Sequence, residues 1–556
     1  FQSLSHLGPR ATFEAAQTPY NKTKNRYPNI LPYDHSRVVL RARKDSHGSD
    51  YINANFVDGY GCPQKYIAAQ GPLTETIKDF WRLIWEKGCT TIVMLGDTEH
   101  KLRSDCERYW PEDGHQEYGD VAVSVVDVTH MTDWTVRTFL VWVRLHPECM
   151  DKREVTQFQF TAWPDQGVPE NTAPLIIFHH KYRYHLSSEE TGPILVHCGA
   201  GVGRTGTFIA IDSLMDQMMM EGVVDVYGFV AQMRTQRNFM VQTHEQYAFI
   251  YDVLRDASLC GITEIPSQEI ASSLLVLRDN DPDIIRQRQD EFEVSLACVA
   301  SVSVFSRNRE RTRNMAAPKR SDNFSFVAVD TNRIRLSITN DIPCSEYINA
   351  SYIDSYNEAH EYIATQAPME NTINEFWQMV WEQKCTAIVM LTELQDRGQI
   401  ESELYWPRDG CVRYGKYIVT KIDEEELDDH TQRSMDSLLV YHFQYHNWSA
   451  HGMPPRMNGL VFLHEQVQKI QSTEDHGPTV VHCSDGAGRT GVFLALAISI
   501  ERLEAEDTVD IFQTVRWLRS QRPALVGSIE QYSCCYQAVK SYLSWRTRAT
   551  NDYCTA

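Results

Sequence analysis

Hydrophobic and polar residues follow two kinds of pattern along this chain. Short runs that are apolar throughout, or at every second position, predict β-strands, and runs with apolar residues three or four positions apart predict amphipathic helices. This mixture of strands and helices predicts an α/β (mixed α+β) fold, a twisted mixed β-sheet flanked by helices. In the first half the predicted strands are 91–95, 121–128, 135–144, 154–160 and 194–197, and the predicted helices are 76–86, 207–221, 226–234 and 244–254.

The second half of the chain repeats the first. Tyr51 recurs as Tyr347, 296 positions later, whereas Cys198 recurs as Cys483, 285 positions later. The second copy is therefore 11 residues shorter, and the missing residues fall between two tryptophans that both copies share. Two copies of one pattern predict two tandem domains of the same fold.

The boundary between the copies is marked by residues that interrupt helices. Gly261 and Pro266 separate two helical patterns in the segment 257–266. Each copy carries motifs along its whole length that are useful only together, so each copy is one domain. We predict a first domain at 1–258 and a second domain at 259–556.

Composition and charge restrict the class of protein. The hydrophobic fraction of 42% and the charged fraction of 23% are typical of a soluble globular protein. The net charge of −21 argues against nucleic acid or an anionic membrane surface as the main partner. The charge-free apolar run 294–305 is too short to cross a bilayer. Because the chain begins at Phe1 without a methionine, we expect a fragment whose membrane anchor lies outside these residues.

The most distinctive part of the repeat is a cysteine followed six positions later by an arginine. Cys198 and Arg204 form this pair in the first copy, and Cys483 and Arg489 form it in the second. In each copy an apolar strand precedes the pair, glycines lie inside it and a helical pattern follows, so backbone N–H groups converge at a helix N-terminus and can hold an anion. The arginine matches two phosphate oxygens, and the cysteine ionises more readily in the same positive field. A thiolate below a bound phosphate is suited to phosphoryl transfer to sulfur.

The same segments also fit a second pattern. Residues 201–206 and 486–491 both match G-x-G-x-x-G, which by itself suggests a dinucleotide-binding loop. Such a loop has no use for the cysteine and the arginine, and no βαβ series surrounds the motif. A Walker loop would require Gly-Lys followed by Ser or Thr, which these segments do not contain. A purely structural cysteine does not explain a spacing that occurs twice.

The phrase His-Cys-x5-Arg-Thr-Gly, at 197–206 and 482–491, resembles the signature of the classical protein tyrosine phosphatases. Two such domains in one chain resemble the cytoplasmic part of a receptor-type tyrosine phosphatase. The resemblance implies a hydrolase that removes phosphate from phosphotyrosine in signal transduction. It further implies a location at the cytoplasmic face of the plasma membrane, as the intracellular part of a single-pass membrane receptor. Other segments of the first half that resemble this family are 24–27, 50–55, 66–72, 163–165 and 242–246.

The resemblance also implies a role for each matching residue of the first copy. Cys198 would attack phosphorus, and Asp165 would protonate the leaving tyrosine oxygen and later deprotonate water. Tyr27 would flank the substrate ring, and Asp34 would accept from a substrate N–H. No metal and no cofactor are implied, and the expected partners are phosphotyrosine-containing proteins. Arg204, Thr205, Gln242 and Gln246 complete the implied catalytic set, and Gly199, Ala200, Gly201, Val202 and Gly203 form the implied substrate-binding loop.

Three positions of the first copy depart from the family pattern. Gly199 replaces the usual serine after the cysteine, and His100 and Asp105 replace a glutamate and a lysine in an earlier loop. We expect these replacements to affect the rate and the position of the acid loop, and not the class of reaction.

The second copy keeps its cysteine and arginine but lacks several of the other groups. Ala450 replaces the acid, and Gly527 replaces the first glutamine. Asp485 places a negative charge inside the phosphate loop, the segment from the cysteine to the arginine (198–204 and 483–489), and should weaken anion binding there. We therefore expect the second domain to be a pseudophosphatase with a regulatory or binding role, or a redox sensor that uses Cys483. Two rival hypotheses concern the whole chain: a phosphotyrosine-binding scaffold in which both copies are slow, and a redox relay that uses both thiolates.

Overall fold

The chain divides into two compact units, Phe1–Gly261 and Ile262–Ala556. This division falls inside the segment 257–266, in which the sequence predicts the boundary. The computed structural model describes residues 1–6, 11–43, 47–97, 106–143, 151–164, 167–186, 192–261, 263–267, 269, 286, 288–296, 328–329, 332–338, 346–427, 430–435, 438–449, 452–472 and 477–555.

One mixed sheet forms the centre of the first unit. Its strands are β1 Arg37–Val39, β2 Tyr51–Gly59, β3 Cys62–Gln70, β4 Thr91–Leu95, β5 His115–Tyr118, β6 Val121–His130, β7 Trp134–Val143, β8 Lys152–Phe160 and β9 Ile194–Cys198. Their order across the sheet is β1-β2-β3-β9-β4-β8-β7-β6-β5. The central strands β3, β9, β4 and β8 are parallel, and antiparallel pairs extend the sheet on both sides.

Helices cover both faces of this sheet. They are α1 Glu14–Gln17, α2 Ile77–Lys87, α3 Ala173–His185, α4 Gly203–Glu221, α5 Val226–Gln236 and α6 His244–Cys260, with 3-10 turns at Gln2–His6, Lys22–Lys24 and Thr74–Thr76. Within the described ranges of the whole chain, no helix combines the length and the apolar character needed to cross a bilayer.

The central strands are buried on both faces, which explains their continuous apolar runs. On one face Ile92 of β4 packs in a buried cluster with Trp81 of α2. On the other face the Phe158 ring contacts Phe178 of α3 with centroids 6.4 Å apart, and Phe178 contacts Phe208 of α4 at 6.1 Å. Helix α4 is thereby packed behind the sheet with its first turn at the end of β9.

The second unit repeats this architecture. Its strands are β10 Ile265–Pro266, β11 Arg333–Arg335, β12 Tyr347–Ile353, β13 Tyr362–Gln366, β14 Ala387–Met390, β15 Gln395–Asp396, β16 Gln399–Ile400, β17 Cys411–Tyr414, β18 Tyr417–Glu426, β19 His430–Met435, β20 Val440–Tyr445, β21 Thr479–Cys483 and β22 Thr508–Val509. The order β11-β12-β13-β21-β14-β20-β19-β18-β17 matches that of the first sheet strand for strand. The described helices that follow β13 are α7 Ile373–Glu382, α8 Met457–Gln471, α9 Gly488–Glu506, α10 Ile511–Gln521 and α11 Ile529–Thr555.

The shorter length of the second copy arises in one hairpin. Strands β7 and β8 contain 10 and 9 residues, whereas their counterparts β19 and β20 contain 6 each. The connection between the two strands is shorter as well. The deletion therefore shortens one hairpin inside the sheet, including the outermost of the four parallel strands, and leaves the strand that ends at the repeated cysteine at five residues in both copies.

The predicted fold class is confirmed, and every predicted element of the first half overlaps an observed one. Strands β1, β2, β3 and β5 and helices α1 and α3 were not predicted. In β2 the inward positions include Asn53 and Asn55, which are 1% and 0% exposed, so the strand lacks the apolar pattern of its neighbours. Both amide side chains accept hydrogen bonds from the buried Arg237 guanidinium.

Candidate active site

The cysteine loop of the first unit connects β9 to α4. Cys198 ends β9 and pairs in parallel register with Gln70 at the end of β3. The Gly71 N–H donates to the Gly199 carbonyl at 3.0 Å, which carries the pairing one residue into the loop. Cys198 is 6% exposed, and the Thr205 hydroxyl donates to its Sγ atom at 3.1 Å. The sulfur is therefore nearly buried, with a hydroxyl donor beside it.

Helix α4 begins four residues before its predicted start at 207, because the glycines of the loop continue directly into helix. The first turn is closed by a hydrogen bond from the Gly206 N–H to the Val202 carbonyl at 3.0 Å. Arg204 and Thr205 thus lie in the first turn of a 19-residue helix. The first N–H groups of any α-helix lack a carbonyl four residues earlier in the same helix, which makes a helix N-terminus a common anion-binding site.

Gly201 allows the loop to fold tightly against β3. Its φ is +67°, and a β-carbon at this position would lie 2.1 Å from the Ala69 carbonyl oxygen. Residues with a side chain rarely adopt this backbone conformation, and a contact this short is not tolerated by a β-carbon. Both observations require glycine at this position.

We expect Gly201→Ala to lower turnover of an aryl phosphate by at least about 100-fold, because a 1 Å misplacement near the reaction can cost that much. Added crowding should also destabilise the domain by roughly 1–3 kcal/mol beyond the backbone penalty. Gly222→Ala is the matched control, since Gly222 has φ +70° at the end of the same helix and nothing within 4 Å of the added carbon. The control should cost about 1–2 kcal/mol of stability and leave kcat unchanged. Equal kinetic effects of the two variants would contradict the role assigned to Gly201.

A buried arginine that the sequence analysis did not single out supports the loop from behind. Arg237 Nε donates to the Gly201 carbonyl at 2.8 Å, and its Nη2 donates to the Ala200 carbonyl at 3.4 Å. The same guanidinium donates to Asn55 Oδ1 at 2.7 Å and to Asn53 Oδ1 at 2.9 Å. Because the C=O and N–H of a peptide point in opposite directions, drawing the carbonyls toward Arg237 turns the loop N–H groups toward the anion side. Burial lowers the pKa of Arg237 to about 10, so the side chain stays charged at neutral pH.

The repeat contained the signal that could have revealed Arg237. Arg522 occurs 285 positions later, at the same offset as the two cysteines. Its Nε donates to the Gly486 carbonyl at 2.8 Å, which reproduces the contact between Arg237 and Gly201. An arginine that both copies keep at the same distance from the cysteine could therefore have been predicted to support the phosphate loop.

Arg204 links the phosphate loop to the segment that carries the predicted acid. The side chain is 9% exposed, and its Nη2 donates to the Pro164 carbonyl at 3.0 Å. Gly96 leaves room for it, because a β-carbon there would lie 2.6 Å from Arg204 Nη1. The Trp163 indole N–H donates to the Gly167 carbonyl at 3.3 Å, which closes the base of the acid segment.

The residue before Cys198, His197, carries no charge. Burial lowers the pKa of His197 to about 3. Its Nε2 lies 2.9 Å from the Tyr109 hydroxyl, which accepts from Gln157 Nε2 at 2.6 Å and can therefore donate its own proton to the imidazole. The positive field at the sulfur thus comes from the helix and the arginines, not from this histidine.

The segment that contains Tyr27 is held through Gln70 to the end of the strand that pairs with Cys198. Gln70 Oε1 accepts from the Arg26 N–H at 3.0 Å, and its Nε2 donates to the Lys24 carbonyl at 2.9 Å. Gln70 is also the residue that pairs with Cys198 in the sheet. Tyr27, which follows Arg26, is 38% exposed, so its ring is accessible to solvent.

The two predicted glutamines lie against the start of α4. A β-carbon built on Gly203 would lie 3.0 Å from Gln246 Nε2 and 3.2 Å from Gln242 Oε1. Gln246 also accepts at Oε1 from the Gln242 N–H at 2.9 Å and forms a capping box with Thr243 at the start of α6. Both amide side chains therefore meet the phosphate loop at the residue where the helix begins.

Asp34 is engaged within its own domain. Its Oδ2 accepts from the Thr12 hydroxyl at 2.6 Å and from the Glu14 N–H at 2.7 Å, and its Oδ1 accepts from the Ala15 N–H at 3.1 Å. The carboxylate thus caps α1, a role that the sequence did not indicate. A substrate N–H would have to share oxygens that already accept three hydrogen bonds.

The corresponding loop of the second unit connects β21 to α9. Thr490 Oγ1 donates to Cys483 Sγ at 3.2 Å, as in the first unit, and Cys483 is fully buried. Burial first, and the negative charge of Asp485 second, raise the pKa of the Cys483 thiol above its usual value. Gly527 supplies only a backbone N–H, which donates to Gln531 Oε1 at 2.8 Å. The geometry of the loop is kept while the environment of the sulfur is different.

Four residues to which the sequence analysis gave a role lie outside the described residues. They are Asp165, His100, Asp105 and Ala450. The predictions made for them remain predictions.

Comparison with known proteins gives one family and a set of relatives that match nearly the whole of this chain. The family model described as "Protein-tyrosine phosphatase" matches residues 21–256 and 318–541, one match in each unit. The chain is 42% identical to receptor-type tyrosine-protein phosphatase alpha of Homo sapiens over 100% of its own length and 69% of that relative. It is 40% identical to tyrosine-protein phosphatase Lar of Drosophila melanogaster, with 98% of the chain and 27% of the relative covered. It is 41% identical to receptor-type tyrosine-protein phosphatase S of Gallus gallus, with 96% and 36% covered.

The matches cover both units and include the repeated cysteine loops, so they confirm the predicted resemblance. The chain spans only a minor part of the Lar and S relatives. The two sheets also share the same strand order. Together with the family and relative matches, this shared order assigns the chain to the protein-tyrosine phosphatase family, as a tandem pair of phosphatase domains of the receptor type.

Proposed function

We propose that the first domain hydrolyses phosphotyrosine on proteins through a phosphocysteine intermediate. The observation that carries this proposal is the nearly buried Cys198 Sγ, which lies 3.1 Å from the Thr205 hydroxyl at the N-terminus of α4, with Arg204 in the same first turn. A helix N-terminus and a guanidinium both stabilise a thiolate and a bound phosphate. One arrangement therefore serves the nucleophile and its target.

In the first chemical step Cys198 Sγ attacks phosphorus, and the bond from phosphorus to the tyrosine oxygen breaks. Asp165 transfers its proton to that oxygen, which leaves as a neutral phenol. Arg204 and the loop N–H groups hold the three equatorial oxygens while charge is redistributed, the electrostatic contribution that is usually the largest.

In the second step water attacks phosphorus, and the bond from phosphorus to sulfur breaks. The Asp165 carboxylate accepts a proton from the water, inorganic phosphate is released, and the Cys198 thiolate is restored. Gln242 and Gln246, which border the loop at the first residue of α4, orient the water. The Thr205 hydroxyl stabilises the departing thiolate by donating to it.

Substrate selection depends on the length of the phosphorylated side chain. Cys198 is only 6% exposed, so a substrate must extend into the loop to reach its sulfur. A phosphotyrosine ring can reach it while resting against the accessible ring of Tyr27, whereas a phosphoserine is too short. Aromatic pairs of this kind contribute roughly 0.5–1.5 kcal/mol beyond the area that they bury.

We propose that the second domain is a pseudophosphatase with a regulatory or binding role. Its acid is replaced by Ala450 and its first glutamine by Gly527. The fully buried Cys483 thiol, whose pKa is raised by burial and by Asp485, is a poor candidate for an oxidant sensor, because oxidation requires an accessible thiolate.

We also propose that the chain acts at the cytoplasmic face of the plasma membrane, as the intracellular part of a single-pass receptor whose substrates are phosphotyrosine-containing proteins. The receptor-type names of the relatives support this location. Direct binding to nucleic acid is disfavoured by the net charge of −21.

The test is to trap the intermediate. The full chain, mixed with a chromogenic aryl phosphate at mildly acidic pH and quenched in acid during turnover, should yield one phosphate adduct on the peptide that contains Cys198. Turnover without any adduct at Cys198 would refute the proposed mechanism. Binding of phosphotyrosine peptides without turnover would instead support the rival scaffold hypothesis.

A further inference from the structure

The phosphate loop of the second domain already holds an anion that belongs to the chain. Asp485 Oδ1 accepts from the Ala487 N–H at 2.9 Å and from the Gly488 N–H at 3.2 Å. Cys483 Sγ lies 3.0 Å from the same oxygen and donates its proton to it. These are the N–H groups at the start of α9, which in a phosphate loop would face a bound oxyanion.

The arginine of this loop is occupied by a second carboxylate. Arg489 Nη2 lies 2.9 Å from Glu401 Oε2 and also donates to Ser484 Oγ at 2.9 Å, while its Nη1 donates to the Trp448 carbonyl at 2.7 Å. The Arg489 side chain is 3% exposed and that of Glu401 is 13% exposed, so the ion pair is largely removed from water. A charge-assisted pair in such a site is much stronger than one at the surface.

We propose that the second phosphate loop is an oxyanion site kept closed by two built-in carboxylates, with Asp485 on the loop amides and Glu401 on Arg489. The inference rests on the proposed function in that the first loop is taken to bind phosphate. The missing acid of the second domain affects turnover, whereas this inference concerns binding. The second site excludes phosphate, whether or not it could hydrolyse a bound substrate.

Phosphate and the two internal carboxylates compete for the loop N–H groups and for Arg489, and this competition strongly favours the carboxylates. A tethered group acts at an effective concentration of at least about millimolar, and one held within the same short loop, already in position, acts at a far higher one. An incoming phosphate would have to displace both carboxylates and leave them buried near its own negative charge. Burying a charge without a partner is strongly unfavourable.

The phosphate loop of the first domain has the same arrangement but no carboxylate at the position of Asp485. Ala200 lies 285 positions before Asp485 and occupies the same place in the loop. The two loops otherwise share the cysteine, the arginine, the threonine donor and the supporting arginine behind them. The two domains therefore permit a reciprocal exchange at one position.

The direct test counts bound oxyanions on the full chain with tungstate as the probe, by isothermal titration calorimetry. The Asp485→Ala/Glu401→Gln variant should bind one more tungstate per chain than the unmodified chain. Asp409→Ala is the matched control, since it removes one negative charge from a side chain of the same domain that is 99% exposed, and it should add no site. An unchanged count in a folded double variant, or a gain equal to that of the control, would overturn the proposal.

The reciprocal test needs no variant of the second domain. Ala200→Asp should remove the tungstate site of the first domain and lower aryl phosphate turnover by at least about 100-fold, whereas Ala200→Ser, polar but uncharged, should lose much less. An Ala200→Asp chain that retains turnover and its tungstate site would contradict the proposal. If the unmodified chain neither turns over nor binds tungstate, the proposed function fails, while the extra site in the Asp485→Ala/Glu401→Gln variant still reports on the second loop by itself.

Discussion

Cys198→Ser is expected to lower turnover of phosphotyrosine peptides by the full chain by at least about 10⁴-fold, to the limit of detection, because removing a nucleophile eliminates the whole covalent route. A serine hydroxyl in place of sulfur is not ionised at neutral pH and cannot attack phosphorus at a useful rate. The phosphate site itself stays intact, since Arg204 and the loop amides are unchanged. Steady-state release of inorganic phosphate measures the loss, and peptide binding to the same variant should persist.

Cys483→Ser is the matched control, because it makes the same substitution at the equivalent position of the second domain. We expect kcat and KM of the full chain to change by less than about 2-fold, because the replacement is isosteric and leaves Cys198 and its loop in the other domain unchanged. A loss of turnover comparable to that of Cys198→Ser would show that the second loop takes part in the reaction. It would then contradict the assignment of catalysis to the first domain.

The sheet could be predicted where its strands bury apolar residues on both faces. Strand β4 is the clearest case, because the run Thr91–Leu95 was predicted with the bounds that the structure shows. Strand β2 was missed because two of its buried positions hold Asn53 and Asn55. Those amides accept from the Arg237 guanidinium, which lies 184 and 182 residues away in the chain. A polar pattern of this kind makes sense only after the loop, the strand and the arginine have been brought together.

The residues of the candidate sites likewise form two groups, those that the sequence predicted and those that it did not. The motif residues Cys198, Arg204 and Thr205 were predictable because they are close in sequence and their spacing is repeated. The charge of Asp485 was also visible, and it predicted weak anion binding, but not that the carboxylate would accept from the loop amides. Glu401 was not predicted to contribute, because it lies 88 residues from Arg489 and nothing in its local sequence indicates the contact. Interactions that depend on the folded path of the chain are therefore the part that sequence patterns leave open.

Asp165→Ala should lower kcat by roughly 10²–10⁴-fold, the usual contribution of a general acid, while peptide binding is retained or strengthened. The leaving tyrosine oxygen would depart as an anion, and removal of a carboxylate close to the substrate phosphate would relieve repulsion. Because only the protonated acid can assist, kcat of the unmodified chain should fall as the pH rises past the titration of this group, and the variant should lack that descending limb. This pH difference separates a proton donor from a residue that only shapes the loop.

Glu170→Ala is the matched control for this variant, since Glu170 is an exposed carboxylate five residues further along the same segment. It should keep both kcat and the descending limb. Because the acid-free variant binds substrate but breaks the phosphorus–oxygen bond slowly, immobilised Asp165→Ala chain should retain phosphotyrosine proteins that free tungstate displaces, and the Glu170→Ala chain should not. An Asp165→Ala enzyme with unchanged kcat and an unchanged pH profile would exclude Asp165 as the proton donor, and the acid would have to be sought among the other carboxyl groups near Arg204.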